Sequence, residues 1–305
     1  MTAISASARR LPGRLSRHVL ATLTRLFAYL LLGITAVSML IPFAWMVLTS
    51  LKPSAEIFKM PPVIFTTNYT VAHYVRALTR GNFNIYFQNS LIVSGATTIL
   101  NVLISAMAGY AFARLQWRLR EVVFMIVLSV MMLPGLIALI PTFLIVKATP
   151  FAGGNNWLGQ GGTGWLDSYP GLIFPALGGG FYVFLLRQFF LTLPKELEDA
   201  ARIDGCSEFA IFWRIILPLS KAVLAVVAIF TFQSSWNDFL WALVIVQSDR
   251  MRTVQLGLTL FRSQNRIDWG VLMAGTTIAT FPTVLLFLLA QQYFVRGIAL
   301  TGIKG

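Results

Sequence analysis

The 305-residue chain is 57% hydrophobic and only 11% charged, with a mean hydropathy of +0.74, a balance that excludes an ordinary soluble globular domain. Its formal net charge of +13 does not denote a nucleic-acid binder, because the cationic residues flank apolar runs and form no basic face interleaved with aromatics. One cysteine, Cys206, and two distant histidines, His18 and His73, exclude an internal disulfide and leave no metal site.

A bilayer core of about 30 Å needs about 20 apolar residues at a helical rise of ~1.5 Å each. Six stretches satisfy this, approximately 26–50, 89–113, 121–146, 170–193, 219–246 and 270–295. The expected fold is an all-α polytopic membrane protein with six transmembrane helices, flanked by tails at 1–25 and 296–305. The first tail carries Arg9, Arg10, Arg14, Arg17 and Arg25 and no acid, which places it in the cytoplasm by the positive-inside rule. Six spans return Arg296 and Lys304 to the same side. In that orientation fifteen of the 24 Lys and Arg residues lie inside and nine outside. Arg9-Arg10 before an apolar run also suits an export signal, but the run is too long for a signal-peptide core and no small-x-small site closes it.

After the first span, residues 52–88 form a polar outer segment with Pro53, Pro61, Pro62 and Asn68, in which Val71 to Leu78 suit a short amphipathic surface helix. The second span carries Ser94, Thr97, Thr98, Asn101 and Ser105. Offsets of three, four, seven and eleven put these groups on one helical face; such a face is more often hydrogen-bonding glue between helices than a substrate lining. In the third span Pro134 and Pro141 predict a kink or interruption. A Gly/Asn-rich stretch, Ala152 to Gly164, reads as a flexible outer loop. Pro175 and Gly178-Gly179-Gly180 weaken the fourth span near its middle.

The segment 194–218 breaks the apolar pattern. Five of the chain's eleven acids, Glu196, Glu198, Asp199, Asp204 and Glu208, fall inside it. Glu196, Glu198 and Asp199 lie near the positive end of a helix dipole and Gly205 follows where a helix ends in a left-handed residue. The expectation is a helix–glycine–helix elbow. Leu197, Ala200 and Ala201 would form a small ridge offered outward, and Phe209, Phe212, Trp213 and Ile216 a face tucked against the membrane domain, closed by Pro218. A helix lying on headgroups usually carries Lys and Arg on its polar face, and a net negative one is repelled by anionic lipid. Docking of a soluble protein partner is the better reading.

The fifth span holds Gln233, Ser234, Ser235, Trp236, Asn237 and Asp238 near its centre. An acid there costs about 2.5–3.5 kcal/mol and should face water or a partner. Gln233, Trp236, Asn237 and Asp238 suit a sugar path, which needs hydrogen bonds and an apolar ring face. They equally suit a hydrogen-bonded seam with another subunit, and both readings stand. Beyond it, Arg250, Arg252, Arg262 and Arg266 lie in an outer segment where solvated loop charge is the default.

The elbow resembles the EAA loop of ATP-binding-cassette (ABC) importer permeases, whose pattern is Glu-Ala-Ala, three residues, Gly, nine residues, Ile, one residue, Leu-Pro. Here Asp199-Ala200-Ala201, Gly205, Ile215 and Leu217-Pro218 match at that spacing, with Asp199 in place of the usual Glu. Further resemblance lies in Ala108 to Arg114, Met132-Leu133-Pro134-Gly135, Ile203-Asp204-Gly205, Ser235 to Phe239 and Gly297 to Gly305. Together these are similar to six-span sugar permeases of the maltose-transporter type, built like type I ABC importer permeases. The resemblance implies a non-enzymatic translocation subunit in a bacterial or archaeal cytoplasmic membrane. It implies a second permease subunit, two ATPase subunits that bind ATP and Mg, and an external solute-binding protein as partners. It assigns ATPase coupling to Glu198, Asp199, Ala200, Ala201, Asp204, Gly205, Ile215, Leu217 and Pro218. The chain itself has no Gly-Lys-Ser/Thr phosphate loop, since none of its lysines follows a glycine. A polyol, glycerol phosphate or osmolyte as solute is the near alternative. A secondary transporter or channel using Asp238 is the alternative of another class, disfavoured by the lack of paired intramembrane carboxylates or histidines.

Overall fold

In the computed structural model, residues 15–79, 82–261 and 267–301 are described, and they form helices joined by turns. Arg9, Arg10, Arg14, Arg80, Arg262, Arg266 and residues 302–305 lie outside the described residues. Three unbroken segments, Ala21–Ser50, Phe83–Arg114 and Trp269–Gln291, are long and apolar enough to cross a membrane, and three bent helix pairs bring the total to as many as six.

Helix α1 (Leu15–Ser50) begins well before residue 26, so part of the segment expected as a tail is helical. Its apolar side chains from Leu23 to Val47 are exposed around the whole helix. Such a helix is at home in lipid, where a helix satisfies its backbone groups internally, and it carries Pro42, whose missing N–H interrupts that ladder at one point. It packs on the last helix, and its C-terminal end is tied down by Ser50, whose hydroxyl bonds Tyr74 Oη at 2.7 Å. Tyr74 belongs to α2 (Ala72–Thr79), the expected amphipathic surface helix.

Helix α3 (Phe83–Arg114) is the central post. Its polar row is buried: Ser94, Asn101 and Ser105 are fully enclosed, and Thr97 nearly so. Asn101 donates to Thr231 Oγ1 on α11 (Lys221–Trp236) at 2.9 Å. Its Oδ1 accepts the Gly178 N–H at 3.0 Å. Asn101 therefore supplies the interhelical glue expected of the row, and it also satisfies a backbone group freed where the fourth span breaks, whereas Thr98 and Ser105 bond within α3 and the Ser94 and Thr97 hydroxyls have no partner. At Gly109 a Cβ would stand 3.0 Å from Leu186 Cβ and 3.1 Å from Arg187 N, so the small residue permits close approach to the neighbouring helix.

The third span is α4 (Arg120–Val130) and α5 (Gly135–Lys147), bent by 105° at Pro134. Pro134 adopts extended backbone as the cap of α5, whereas Pro141 is carried inside that helix. The fourth is α6 (Tyr169–Ile173), a 3₁₀ turn at Phe174–Ala176 and α7 (Gly180–Thr192), bent by 47°. The elbow follows as α8 (Glu196–Ile203), α9 (Glu208–Ile211), a π-helical turn at Phe212–Ile216 and α10 (Leu217–Leu219). An 82° bend leads into α11. A break at 237–239 separates α11 from α12 (Leu240–Ile245), and α13 (Val254–Leu258) and α14 (Trp269–Thr301) complete the chain.

The Gly/Asn-rich segment is wound tightly, contrary to the expectation of a flexible loop. Gly153, Gly154, Gly159, Gly161 and Gly164 all take positive φ. The buried Asn155 donates to the Lys147 and Thr149 carbonyls at 2.8 and 2.9 Å and accepts the Gly162 N–H at 2.8 Å. A Cβ on Gly164 would lie 2.3 Å from the Lys147 carbonyl oxygen. Glycine here serves chain-to-chain approach as much as conformational freedom.

Candidate functional site

The elbow begins where α7 ends at Leu193. Glu196, Glu198 and Asp199 occupy the first turn of α8, where they favour the helix dipole. Gly205 ends the helix at φ +79°, with its N–H on the Arg202 carbonyl and that of Cys206 on the Ala201 carbonyl at 2.9 Å, a left-handed termination. No atom lies within 4 Å of where a Cβ on Gly205 would stand, so the requirement at this position is conformational and not steric. Ser207 caps α9, its Oγ accepting the Ala210 N–H at 3.3 Å.

The charges of the elbow are wired to one another and to α3. Arg114, the last residue of α3, sets its Nε 2.8 Å from Glu198 Oε1, and both side chains are only 2% exposed. The N–H is not aimed at that oxygen, so the contact is Coulombic rather than a directed hydrogen bond. Arg114 Nη2 also donates to the Leu193 carbonyl at 2.6 Å. Arg202 donates to Glu208 at 2.8 Å, to Asp199 at 2.8 Å and to Glu198 at 3.4 Å, and Tyr110 Oη donates to Glu208 at 2.8 Å. Burial pushes the Glu198 carboxyl above its ordinary range despite Arg114 and Arg202. The Arg202 hydrogen bond holds Glu208 below it, and Glu208 in turn holds the Arg202 proton more tightly than usual.

The ridge differs from expectation. Leu197 and Ala200 are exposed, but Ala201 is buried in the cluster of Ala106, Tyr110, Leu186, Phe190, Ile211, Phe212 and Ile216. Ile203, 87% exposed, completes the outward line, which runs from Leu197 to Ala200 to Ile203 in steps of three. The aromatic face also splits. Phe212 and Ile216 are buried, whereas Phe209 is 65% exposed and Trp213 is exposed beside it. The π-helical turn at Phe212–Ile216 takes more residues per turn than an α-helix, so the 3.6-residue period used to group the four residues does not hold there. Ile215 and Leu217 are partly buried against the same cluster, Pro218 stands inside the first turn of α10, and Asp199 and Asp204 are exposed.

The four fifth-span residues do not share one surface. Trp236 is almost fully buried, donates Nε1–H to the Ala279 carbonyl at 2.9 Å and stacks on Phe232; it anchors α11 to α14 and does not line a path. Gln233 and Asn237 border an open groove of about 510 Å³ shared with Thr276, Thr280 and Thr283. There Asn237 Oδ1 accepts from Gln255 Nε2 at 3.1 Å, a partner on α13 that helical spacing along one span does not disclose. Asp238 faces elsewhere, with its Oδ1 accepting the Trp241 N–H at 3.1 Å at the start of α12. Among the described residues no group of three or more His, Cys, Asp or Glu is placed to hold a metal ion.

The segment after α12 is clasped to the N-terminal end of α3. Asn82 and Tyr86 donate to Asp249 at 3.1 and 2.7 Å, and Asn89 donates to the Arg250 and Arg252 carbonyls at 2.7 and 2.9 Å. The Tyr86 hydrogen bond holds the Asp249 carboxyl below its ordinary range. Arg252 also stands 3.4 Å from Asp249, so it has a structural partner within this chain.

Residues 101–300 match the family of binding-protein-dependent transport system inner membrane components. The chain is 35% identical over 276 residues to the arabinooligosaccharides transport system permease protein AraQ of Bacillus subtilis, covering 87% of this chain and 91% of that one. It is 32% identical over 275 residues to the trehalose/maltose transport system permease protein MalG of Thermococcus litoralis, covering 88% and 93% respectively. A solved bacterial ABC transporter involved in the import of the acidic polysaccharide alginate shares the fold, with a TM-score of 0.77 over 93% of this chain and 99% of that one at 21% identity. A family match over some two thirds of a six-span helical chain, with relatives aligned along nearly all of it, means that this protein belongs to the binding-protein-dependent transport system inner membrane components, the permease subunits of ABC importers.

Proposed function

We propose that the chain is the translocation subunit of an ATP-driven importer for a sugar or oligosaccharide. In this reading it pairs with a second permease, two ATPase subunits that hold ATP and Mg, and an external solute-binding protein. Both termini and the elbow 194–218 lie in the cytoplasm, and 52–88, 147–169 and 247–269 lie outside. The sugar class rests on relatives named for arabinooligosaccharides and trehalose/maltose. One observation carries the coupling role: α8 presents Leu197, Ala200 and Ile203 outward while its opposite face is locked to α3 through Arg114 and Glu198. A partner pressing on that ridge displaces α8, and the ion pair passes the displacement to the central helix. ATP shifts the inward–outward balance only through contacts that differ between the two states, and the ridge supplies such contacts. Glu198, Asp199, Ala200, Asp204 and Gly205 shape or border the docking surface, while Ala201, Ile215, Leu217 and Pro218 seat it.

Gln233 and Asn237, facing the open groove, are the candidate path residues retained from the fifth span. The test is reconstitution with the partner permease, ATPase and binding protein in proteoliposomes. ATP alone, with no ion gradient, should drive oligosaccharide uptake, and the purified chain by itself should not hydrolyse ATP. Uptake by this chain alone, driven by a proton or sodium gradient, would overturn the proposal.

A further inference from the structure

A second, smaller polar cavity, partly open at Ser234, has a lining separate from that of the open groove. Its volume is about 80 Å³, room for two or three waters and less than a sugar ring needs. It sits where two spans are broken, with Ala176 at the break before α7 and Asp238 at the break before α12 both in its wall. The rest of its polar lining includes Thr97, Thr231, Ser234, Ser235 and Thr253. Its lining residues include no Lys, Arg or His.

Two observations point to a ligand. The Oγ1 atoms of Thr97 and Thr253 are buried without a hydrogen-bond partner, although buried hydroxyls in folded proteins are nearly always paired. Thr97 is 1% exposed and sits one turn from Asn101, whose own side chain is already committed to Thr231, Ser105 and Gly178. The second observation is Asp238. Its carboxylate takes one hydrogen bond, from the Trp241 N–H, and no ion pair with a cationic side chain is formed among the described residues. A carboxylate in a span, faced by hydroxyl oxygens and no positive group, calls for a positive occupant. Divalent ions favour six or more oxygens, commonly with several carboxylates, whereas this cavity offers one. Breaks in membrane helices expose carbonyl oxygens, the kind of place where alkali ions bind in membrane proteins.

We propose that this cavity binds a single alkali cation, sodium or potassium, held between the two helix breaks by the Asp238 carboxylate and the Thr97 and Thr253 hydroxyls. The cation neutralises the one acid within the fifth span and pins α6 and α12 around it. It is a resident ion and supplies no driving force, so the site stands apart from the ATP-driven reading of transport.

The experiment uses the assembled transporter in lipid nanodiscs, with sodium-22 and rubidium-86 as probes in choline chloride of constant ionic strength. One saturable site per chain is expected, together with a rise in midpoint temperature of about 2–4 °C on replacing choline by the preferred ion. Asp238→Asn, which keeps the acceptor for Trp241, should abolish both effects. Thr97→Val should weaken binding at least about tenfold while leaving the carboxylate in place, and it decides the matter should Asp238→Asn fail to assemble. Absence of saturable binding of either probe would overturn the proposal, leaving a neutral, protonated Asp238 beside water. Binding unchanged in Thr97→Val would overturn it as well.

Discussion

Gly205 and Ala201 stand four residues apart in one motif, yet they respond to substitution for different physical reasons. At Gly205 the backbone is left-handed and the space for a side chain is open, so alanine and valine alike incur strain of about 1–2 kcal/mol there. Gly205→Ala should therefore lower coupled ATP hydrolysis nearly as much as Gly205→Val in reconstituted transporter; a normal alanine variant beside a dead valine variant would mean that bulk governs. At Ala201 the neighbours are the buried core residues around Phe190 and Phe212. Ala201→Asp buries a charge without a partner, costing several kcal/mol, and should reduce the amount of folded permease in membranes. Ala200→Asp, on the exposed side, should leave permease levels unchanged and weaken ATPase association, measured by co-purification. Equal loss of permease in both variants would refute the two-sided description of α8.

At the scale of elements, α8 is held to α3 by charge in a buried setting. Breaking such a pair by removing one partner costs about 3–5 kcal/mol, whereas replacing both with apolar residues is often neutral. Arg114→Met should thus leave Glu198 buried against Arg202 alone and markedly lower thermal stability. Arg114→Met with Glu198→Leu should recover most of that loss while still impairing transport, because the rigid link is gone. A thermal-shift comparison of the two variants checks this; a double variant no more stable than Arg114→Met alone would contradict it. Glu208 has the opposite environment from Glu198. Its carboxyl pKa is lowered by Arg202, so the stability it contributes is present above the unfolded-state pKa and is lost only as pH falls through the depressed folded value. Acidification from pH 7 to pH 5 should consequently leave the Arg202–Glu208–Tyr110 clamp intact, which hydrogen exchange of residues 199–210 would register as unchanged protection.

For the molecule as a whole, the proposed orientation rests on the charge of the loops and on the partner docking proposed at the elbow. On a Cys206→Ser background, a single cysteine at Asn156 in the wound outer loop should react with an impermeant maleimide in intact cells. One at Ile203, 87% exposed, should react only after permeabilisation. Labelling of Ile203→Cys from outside would invert the topology.

Much of this architecture is legible in the chain because the bilayer imposes one-dimensional rules. Runs of about 20 apolar residues, prolines at 134 and 175, and an acid-rich interruption at 194–218 all speak through local composition and helix grammar. The left-handed Gly205 is equally local, since the need for positive φ at a helix end is set by the backbone there. Tertiary structure decided what local pattern cannot express. The burial of Ala201, the division of the aromatic face at the π-helical turn, and the pairing of Arg114 with Glu198 across 84 residues of sequence all depend on how α8 to α10 seat against α3 and α7. So does the parting of Gln233 and Asn237 from Trp236 and Asp238: four neighbours on one span face an open groove, a packed core and a small polar cavity, because side-chain direction is periodic but the identity of what lies opposite belongs to other helices.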